Sequence, residues 1–107
     1  MLSYVSLVKI MRLNHQIMGY KALVILELPE ATEEQKAIFN QALSKELWFR
    51  IENLNAAWKI AFNQNWSRAG AIEAIESDLK KAKHISGVPR VEYALQLDIQ
   101  VLVIKSS

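Results

Sequence analysis

The chain has 107 residues, of which 51% are hydrophobic, 13 are basic and 11 are acidic, and it contains no cysteine. This length suits one hydrophobic core, because domains usually run to about 100 to 150 residues, and the apolar content predicts a folded protein. The lack of cysteine excludes a disulfide framework, a thiolate metal site and a cysteine nucleophile. A formal net charge of +2 is too small to indicate nucleic-acid binding by itself.

The apolar runs are all far shorter than the roughly 18 residues that cross a bilayer. Lys9 and Arg12 interrupt the apolar N-terminal stretch, and no small-residue cleavage site follows it, so the stretch is not typical of a signal peptide. We therefore expect a protein with no membrane partner. The absence of cysteine favours a reducing compartment, and we expect a cytoplasmic location.

The N-terminal segment has no single periodicity, because its apolar residues partly suit a helix and partly a strand. A strong pattern begins only after Met18 and Gly19. We interpret residues 1–18 as a leader that is weakly structured or helical, and residues 19–107 as a single domain. Met18 could serve as an internal start, and the sequence leaves open whether the leader belongs to the native protein.

The first regular elements are a strand and a helix. Tyr20 to Leu28 is rich in Val, Ile and Leu and is closed by Pro29, which predicts a central strand. Thr32 stands three residues before Gln35 in a capping-box arrangement, and a helix is predicted from Ala31 to about Lys45. The apolar residues of this helix fall at helical spacing and predict one buried stripe: Ile38, Phe39, Ala42 and Leu43.

A hairpin is predicted next, because the apolar residues now recur at every second position. In its first strand the residues expected to face the helices are Leu47, Phe49 and Ile51, and those expected to face away are Trp48, Arg50 and Glu52. Turn chemistry at 53–55 leads into a second strand whose buried side chains are predicted to be Trp58, Ile60 and Phe62.

A second helix and the last strands complete the chain. Ser67 can cap a helix that Gly87 stops, with a buried stripe of Ile72, Ile75, Leu79 and Ala82. Residues 91–97 alternate as a strand, residues 98–100 are interpreted as a break, and residues 101–104 as a short tail strand.

This order, strand, helix, strand, strand, helix, strand, predicts an α+β fold of ferredoxin-like type (βαββαβ). We expect an antiparallel sheet with both helices on one face, an extra short C-terminal strand and the N-terminal leader. The order resembles that of small ferredoxin-like proteins such as the endoribonuclease antitoxins of type V toxin–antitoxin systems and RNase-like proteins of CRISPR loci. The CRISPR-associated group typically ends its first strand with a catalytic aspartate, whereas this chain has Glu27 there.

Patterns that carry catalysis or metal binding are absent from the sequence. His15 and His84 stand in no metal-ligand spacing, and no phosphate-cradling glycine motif is present. Glu27 and Glu30 are the nearest approach to a carboxylate pair, and Lys80 to Lys83 fit the negative end of a helix dipole. We expect no cofactor, no metal, no catalytic residue and a non-enzymatic protein.

The uncovered face of the predicted sheet is the most informative surface. Alternation places an apolar centre with a charged border there, which is the composition of a protein interface. The predicted partner-binding residues are Lys21, Leu23, Ile25, Trp48, Arg50 and Lys59. The leader or the tail strand covering this face within one chain is an alternative that the sequence leaves open.

Two functions compete. The first is a small interaction module that forms a homodimer or binds and modulates a protein partner through this face. The second is an RNA-binding or endoribonuclease protein of the antitoxin type, in which Lys21, Arg50 and Lys59 contact phosphate while Trp48 stacks on a base. The acidic residues expected on the same face count against the second: Glu27, Glu52 and Glu92.

Overall fold

The computed structural model of the chain describes residues 16–103 apart from Asn53 and Asn55. Four strands and two helices follow one another in that part of the chain: β1 Gln16–Glu27, α1 Glu33–Lys45, β2 Phe49–Arg50, β3 Ala57–Ala61, α2 Arg68–Ser86 and β4 Glu92–Val103. The first fifteen residues of the predicted leader and the last residue of the predicted tail strand lie outside the described residues.

The four strands form one antiparallel sheet in the order β2-β3-β1-β4. β1 is central, because it pairs with β3 over Lys21 to Ile25 and with β4 along its whole length from Gln16 to Glu27. The predicted α+β class and the antiparallel sheet with two helices are therefore confirmed.

The core lies between the helices and one side of the sheet. Successive strand residues point to opposite faces, and on β1 the buried set is Ala22, Val24 and Leu26. The buried residues of both helices belong to the same cluster: Phe39 and Leu43 from α1, and Ala71, Ile75, Leu79 and Ala82 from α2. Both helices thus cover the same face of the sheet and leave the other face without a helix in the described part of the chain.

Local signals set the ends of the helices. The Thr32 hydroxyl accepts a hydrogen bond from the Gln35 backbone N–H, and the Gln35 side chain accepts one from the Thr32 N–H, so the predicted capping box is present. Ser67 caps α2 through the Gly70 N–H, and Gly87 ends it with φ 74°, a left-handed conformation that glycine adopts without strain. Neither helix is long and apolar enough to span a membrane in the part of the chain that the structure describes.

The start of β1 and the end of β4 differ from the prediction. β4 runs without interruption from Glu92 to Val103, so the break predicted at residues 98–100 is wrong and the short tail strand is the end of β4. Asp98 stays in the ladder, where it lies opposite Lys21. β1 begins at Gln16, so the last residues assigned to the leader are extended rather than helical. At Gly19 a side chain would collide with the Phe62 carbonyl oxygen, and only glycine fits.

Candidate functional site

The face of the sheet that carries no helix is called the open face below. Its residues follow from the pairing register, because side chains directly opposite each other share a face. Leu23 lies between Lys59 of β3 and Gln96 of β4, and Ile25 lies between Ala57 and Ala94. The same alternation adds further charged and small residues to this face: Lys21, Glu27, Ala61, Glu92 and Asp98.

Four of the six predicted contact residues lie on the open face: Lys21, Leu23, Ile25 and Lys59. The Ile25 side chain is 48% exposed, although it stands at the centre of the sheet. Lys21 and Lys59 are exposed, and Leu23 is half-buried. The sequence pattern of β1 and β3 therefore placed their side chains on the correct face.

Trp48 is the main correction. It was expected at the centre of the open face, but it is only 2% exposed and belongs to the core. Its indole Nε1–H donates a hydrogen bond of 2.9 Å to Asp78 Oδ2 on α2, and its ring meets the edge of Trp58 at 6.3 Å between centroids. Buried indoles usually find such a polar partner. Trp48 therefore holds β2 to the helix layer and presents no surface to a ligand.

The end of α1 explains why the alternation fails at Trp48. The Trp48 N–H donates to the Leu43 carbonyl and the Leu47 N–H to the Ser44 carbonyl, which together make a Schellman motif. In this motif the residue at Leu47 is left-handed, here with φ 65°, and the residue after it packs back on the helix. Leu47 and Trp48 thus belong to the helix end, and strand alternation starts only at Phe49.

Leu47 should be replaceable by Gly with a gain in stability. A left-handed conformation is strained for a residue with a Cβ, and the Leu47 side chain is 70% exposed, so little packing is lost. We expect Leu47→Gly to raise the free energy of unfolding by about 0.5 to 1 kcal/mol, measured by urea denaturation. Leu47→Ala is the matched control, because it keeps the Cβ and should bring no gain. Equal stability of the Gly and Ala variants would contradict the assignment.

The side chains of β2 are inverted relative to the prediction. Arg50 lies opposite Trp58, whose side chain points to the core, and its guanidinium stands 5.4 Å from the Trp58 ring centroid. Arg50 is therefore on the helix side of the sheet. Phe49 lies opposite Lys59 and is 56% exposed, so it occupies the open face in place of Trp48. Phe49 was missed because it was assigned to the core.

The open face is concave between β1 and its neighbours. A shallow groove of about 610 Å³ lies there, lined by Lys21, Ala22, Leu23, Ile51, Lys59, Gln96 and Asp98. Gln96 Nε2 donates to Asp98 Oδ2 at 3.0 Å, so two polar side chains of β4 pair at the border of the groove. Aliphatic side chains with lysine, amide and carboxylate groups at their border suit contact with another macromolecule.

Glu27 ends β1 at the edge of the open face, and the other candidate groups lie elsewhere. Glu30 occupies a left-handed position (φ 63°) in the turn after Pro29, and Glu27 and Glu30 border a separate polar cleft that also includes Lys36 and Arg50. His84 is exposed on α2. Between residues 16 and 103, as far as these are described, no three His, Asp or Glu side chains come together in a way that could hold a metal ion.

The basic run on α2 is exposed, as expected for a solvated helix face. Lys81 Nζ donates to Glu46 Oε1 at 2.6 Å, and this carboxylate raises the pKa of Lys81. Nearby, partial burial raises the pKa of Asp78, while the bond from the Trp48 indole acts in the opposite direction. Both carboxylates are thus engaged in holding β2 and the helices together.

These features define a small α+β domain with one helix-covered and one open sheet face. No family model matches the chain, and neither a curated protein nor a solved structure matches it.

Proposed function

We propose that this chain is a non-enzymatic interaction module of ferredoxin-like fold that binds a second copy or a protein partner through the open face. The strand order supports the fold assignment: read from β4 it is β4-β1-β3-β2, in which each of the two strand-helix-strand units has a strand of the other between its own strands. Both helices then lie on one side, and the other side is available for binding.

The exposed apolar side chains on the open face are the observation that carries this proposal. Ile25 is 48% and Phe49 is 56% exposed, and Lys59 of β3 lies between Phe49 and Leu23 of β1. Exposed apolar side chains interspersed with charged groups on one sheet face suit a protein interface. Aromatic side chains buried in an interface often make large contributions to its binding energy, and Phe49 is the aromatic residue that β2 contributes to the open face.

Phe49→Glu tests the proposal directly. We expect the variant to weaken self-association or partner binding by about 2 kcal/mol or more, or roughly thirtyfold, with little change in monomer stability. Ile85→Glu is the matched control, because Ile85 is 53% exposed on α2, away from the open face. Sedimentation velocity measures self-association, and quantitative pull-down from the native host compares partner recovery between the two variants.

Equal behaviour of Phe49→Glu, Ile85→Glu and the parent in both assays would contradict the proposal. The RNA-binding alternative keeps Lys21 and Lys59 on the open face but loses Trp48 to the core and Arg50 to the helix side. The RNA-binding alternative predicts an affinity for RNA that falls steeply as the salt concentration rises. In Lys59→Gln, the slope of log affinity against log salt concentration should be smaller by about one unit.

A further inference from the structure

The open face carries its unlike charges at opposite ends. Lys21 and Lys59 lie towards the start of the part of β1 that pairs with β3, where Lys59 is opposite Leu23. Glu27 and Glu92 lie at the other end, directly opposite each other. Ile25 stands between the two groups. Among the described side chains, the face thus has two lysines beside Asp98 at one end, an apolar middle, and two glutamates at the other end.

The spacing of these groups is regular enough to define a symmetry axis. Strands lie about 4.8 Å apart and rise about 3.3 Å per residue, so the midpoint between the lysine pair and the glutamate pair falls on β1 between Leu23 and Ile25. The line joining the two pairs is inclined to the strands by roughly 16° on the same dimensions.

We propose that the open face binds the open face of a second copy of this chain. The two copies are related by a two-fold axis that lies between the two sheets, parallel to them, and passes beside Ile25. This inference rests on the function proposed above and names the partner. In this arrangement Lys59 lies over Glu27 of the second copy, Lys21 lies over Glu92 of the second copy, and Ile25 contacts its own symmetry mate. Because the interface is isologous, each charge contact forms twice.

Packing geometry and charge both favour this arrangement. An inclination of roughly 16° makes the strands of the two copies cross at roughly 30°, which is the angle at which aligned sheets pack face to face. Asp98 lies beside Lys21, and at this angle it projects beyond the β4 edge of the second copy instead of meeting an acidic group. The acidic end also disfavours a nucleic-acid partner, since phosphate would approach Glu27 and Glu92.

The contact between Lys59 and Glu27 is the best test of the proposed arrangement. Glu92 already forms an ion pair with Arg90, whereas neither Lys59 nor Glu27 has an ion-pair partner among the described side chains. Charge reversal at either position therefore breaks no ion pair between described side chains, and thermal unfolding of each variant tests for an effect of the added charge on the fold, since Glu27 also borders the cleft that contains Lys36 and Arg50. In a dimer of either variant, both contacts between positions 59 and 27 become contacts between like charges.

The experiment uses the full chain with Lys59→Glu, with Glu27→Lys, and with both variants mixed. We expect each variant alone to self-associate at least tenfold more weakly than the parent in sedimentation velocity, because like charges then face each other twice. The equimolar mixture should recover parental affinity, because each contact is again between unlike charges. Lys80→Glu on the outer surface of α2 is the control and should associate like the parent.

Three results would overturn the inference. A parent chain that is monomeric at every concentration excludes the second copy, and the pull-down with Phe49→Glu still tests the proposed function. If both charge variants associate like the parent while Phe49→Glu does not, the open face is used in another orientation. If the mixture fails to recover affinity although each variant shows parental thermal unfolding, the contact between Lys59 and Glu27 is absent.

Discussion

Replacing Trp48 by Ala should lower the free energy of unfolding by about 3 to 5 kcal/mol. The side chain is 2% exposed, packs edge-on against Trp58 and donates a hydrogen bond to Asp78, so truncation leaves a cavity and an unpaired carboxylate. Since Trp48 is the first residue after the helix end at Leu47, the loss should also loosen the attachment of β2 to the helices. Urea unfolding followed by far-ultraviolet circular dichroism gives the magnitude.

Phe49→Ala is the matched control for Trp48→Ala. Phe49 is the next residue along the chain and is also aromatic, but it is 56% exposed on the open face. We expect it to change monomer stability by less than about 1 kcal/mol. The reverse order, with Phe49→Ala the more destabilising change, would mean that Trp48 faces outward and that simple alternation from Leu47 holds.

Leu79→Ala should be the other strongly destabilising change, at about 2 to 5 kcal/mol. Leu79 is 4% exposed and lies in the middle of α2 within the cluster that joins both helices to the sheet. Because the helix itself tolerates Ala, the loss comes from the cavity rather than from helix propensity.

Ile85→Ala, on the same helix, is the control for Leu79→Ala. It truncates a similar aliphatic side chain at an exposed position and so shows whether burial causes the loss of stability. Ile85 is 53% exposed, and we expect its truncation to cost less than about 1 kcal/mol in the same denaturation experiment. A change of under half a kcal/mol for Leu79→Ala would contradict the assignment of the buried stripe of α2.

The helices and the long strands were predictable because their signals are local. Thr32 with Gln35, Ser67 and Gly87 fix helix ends through side-chain or backbone chemistry within a few residues. The apolar spacing of α2 and the alternation of β1 each extend over several turns or pairs. A single residue cannot shift such a pattern by itself.

The segment after α1 was not predictable by the same reasoning. A Schellman motif is usually indicated in a sequence by a glycine at the left-handed position, and here that position is occupied by Leu47. Without the glycine, the segment from Leu47 onward has the pattern of one alternating strand, although the strand has only two residues. Because the alternation was counted from Leu47, through the helix end, its phase was inverted along β2. The inversion placed Trp48 and Arg50 on the wrong face and hid Phe49.

β4 shows a different limit. Residues 98–100, which include the polar residues Asp98 and Gln100, were interpreted as a break, yet Asp98 continues the ladder opposite Lys21. Whether a polar residue ends a strand depends on its cross-strand neighbour, and that neighbour comes from a distant part of the chain. Local sequence contains the alternation but not the register.

The pairing of β1 also bears on how the chain folds. All twelve residues of β1 pair with β4, and β1 pairs with β3 on its other side, so both neighbours of the central strand come later in the chain. During synthesis the sheet cannot be completed until β4, its last strand, has left the ribosome. Contacts between such distant segments slow folding and leave the β4 side of β1 unpaired in the interval. A chain that ends before β4 should therefore expose a long strand edge and aggregate more readily than the whole domain, whatever the finished domain binds.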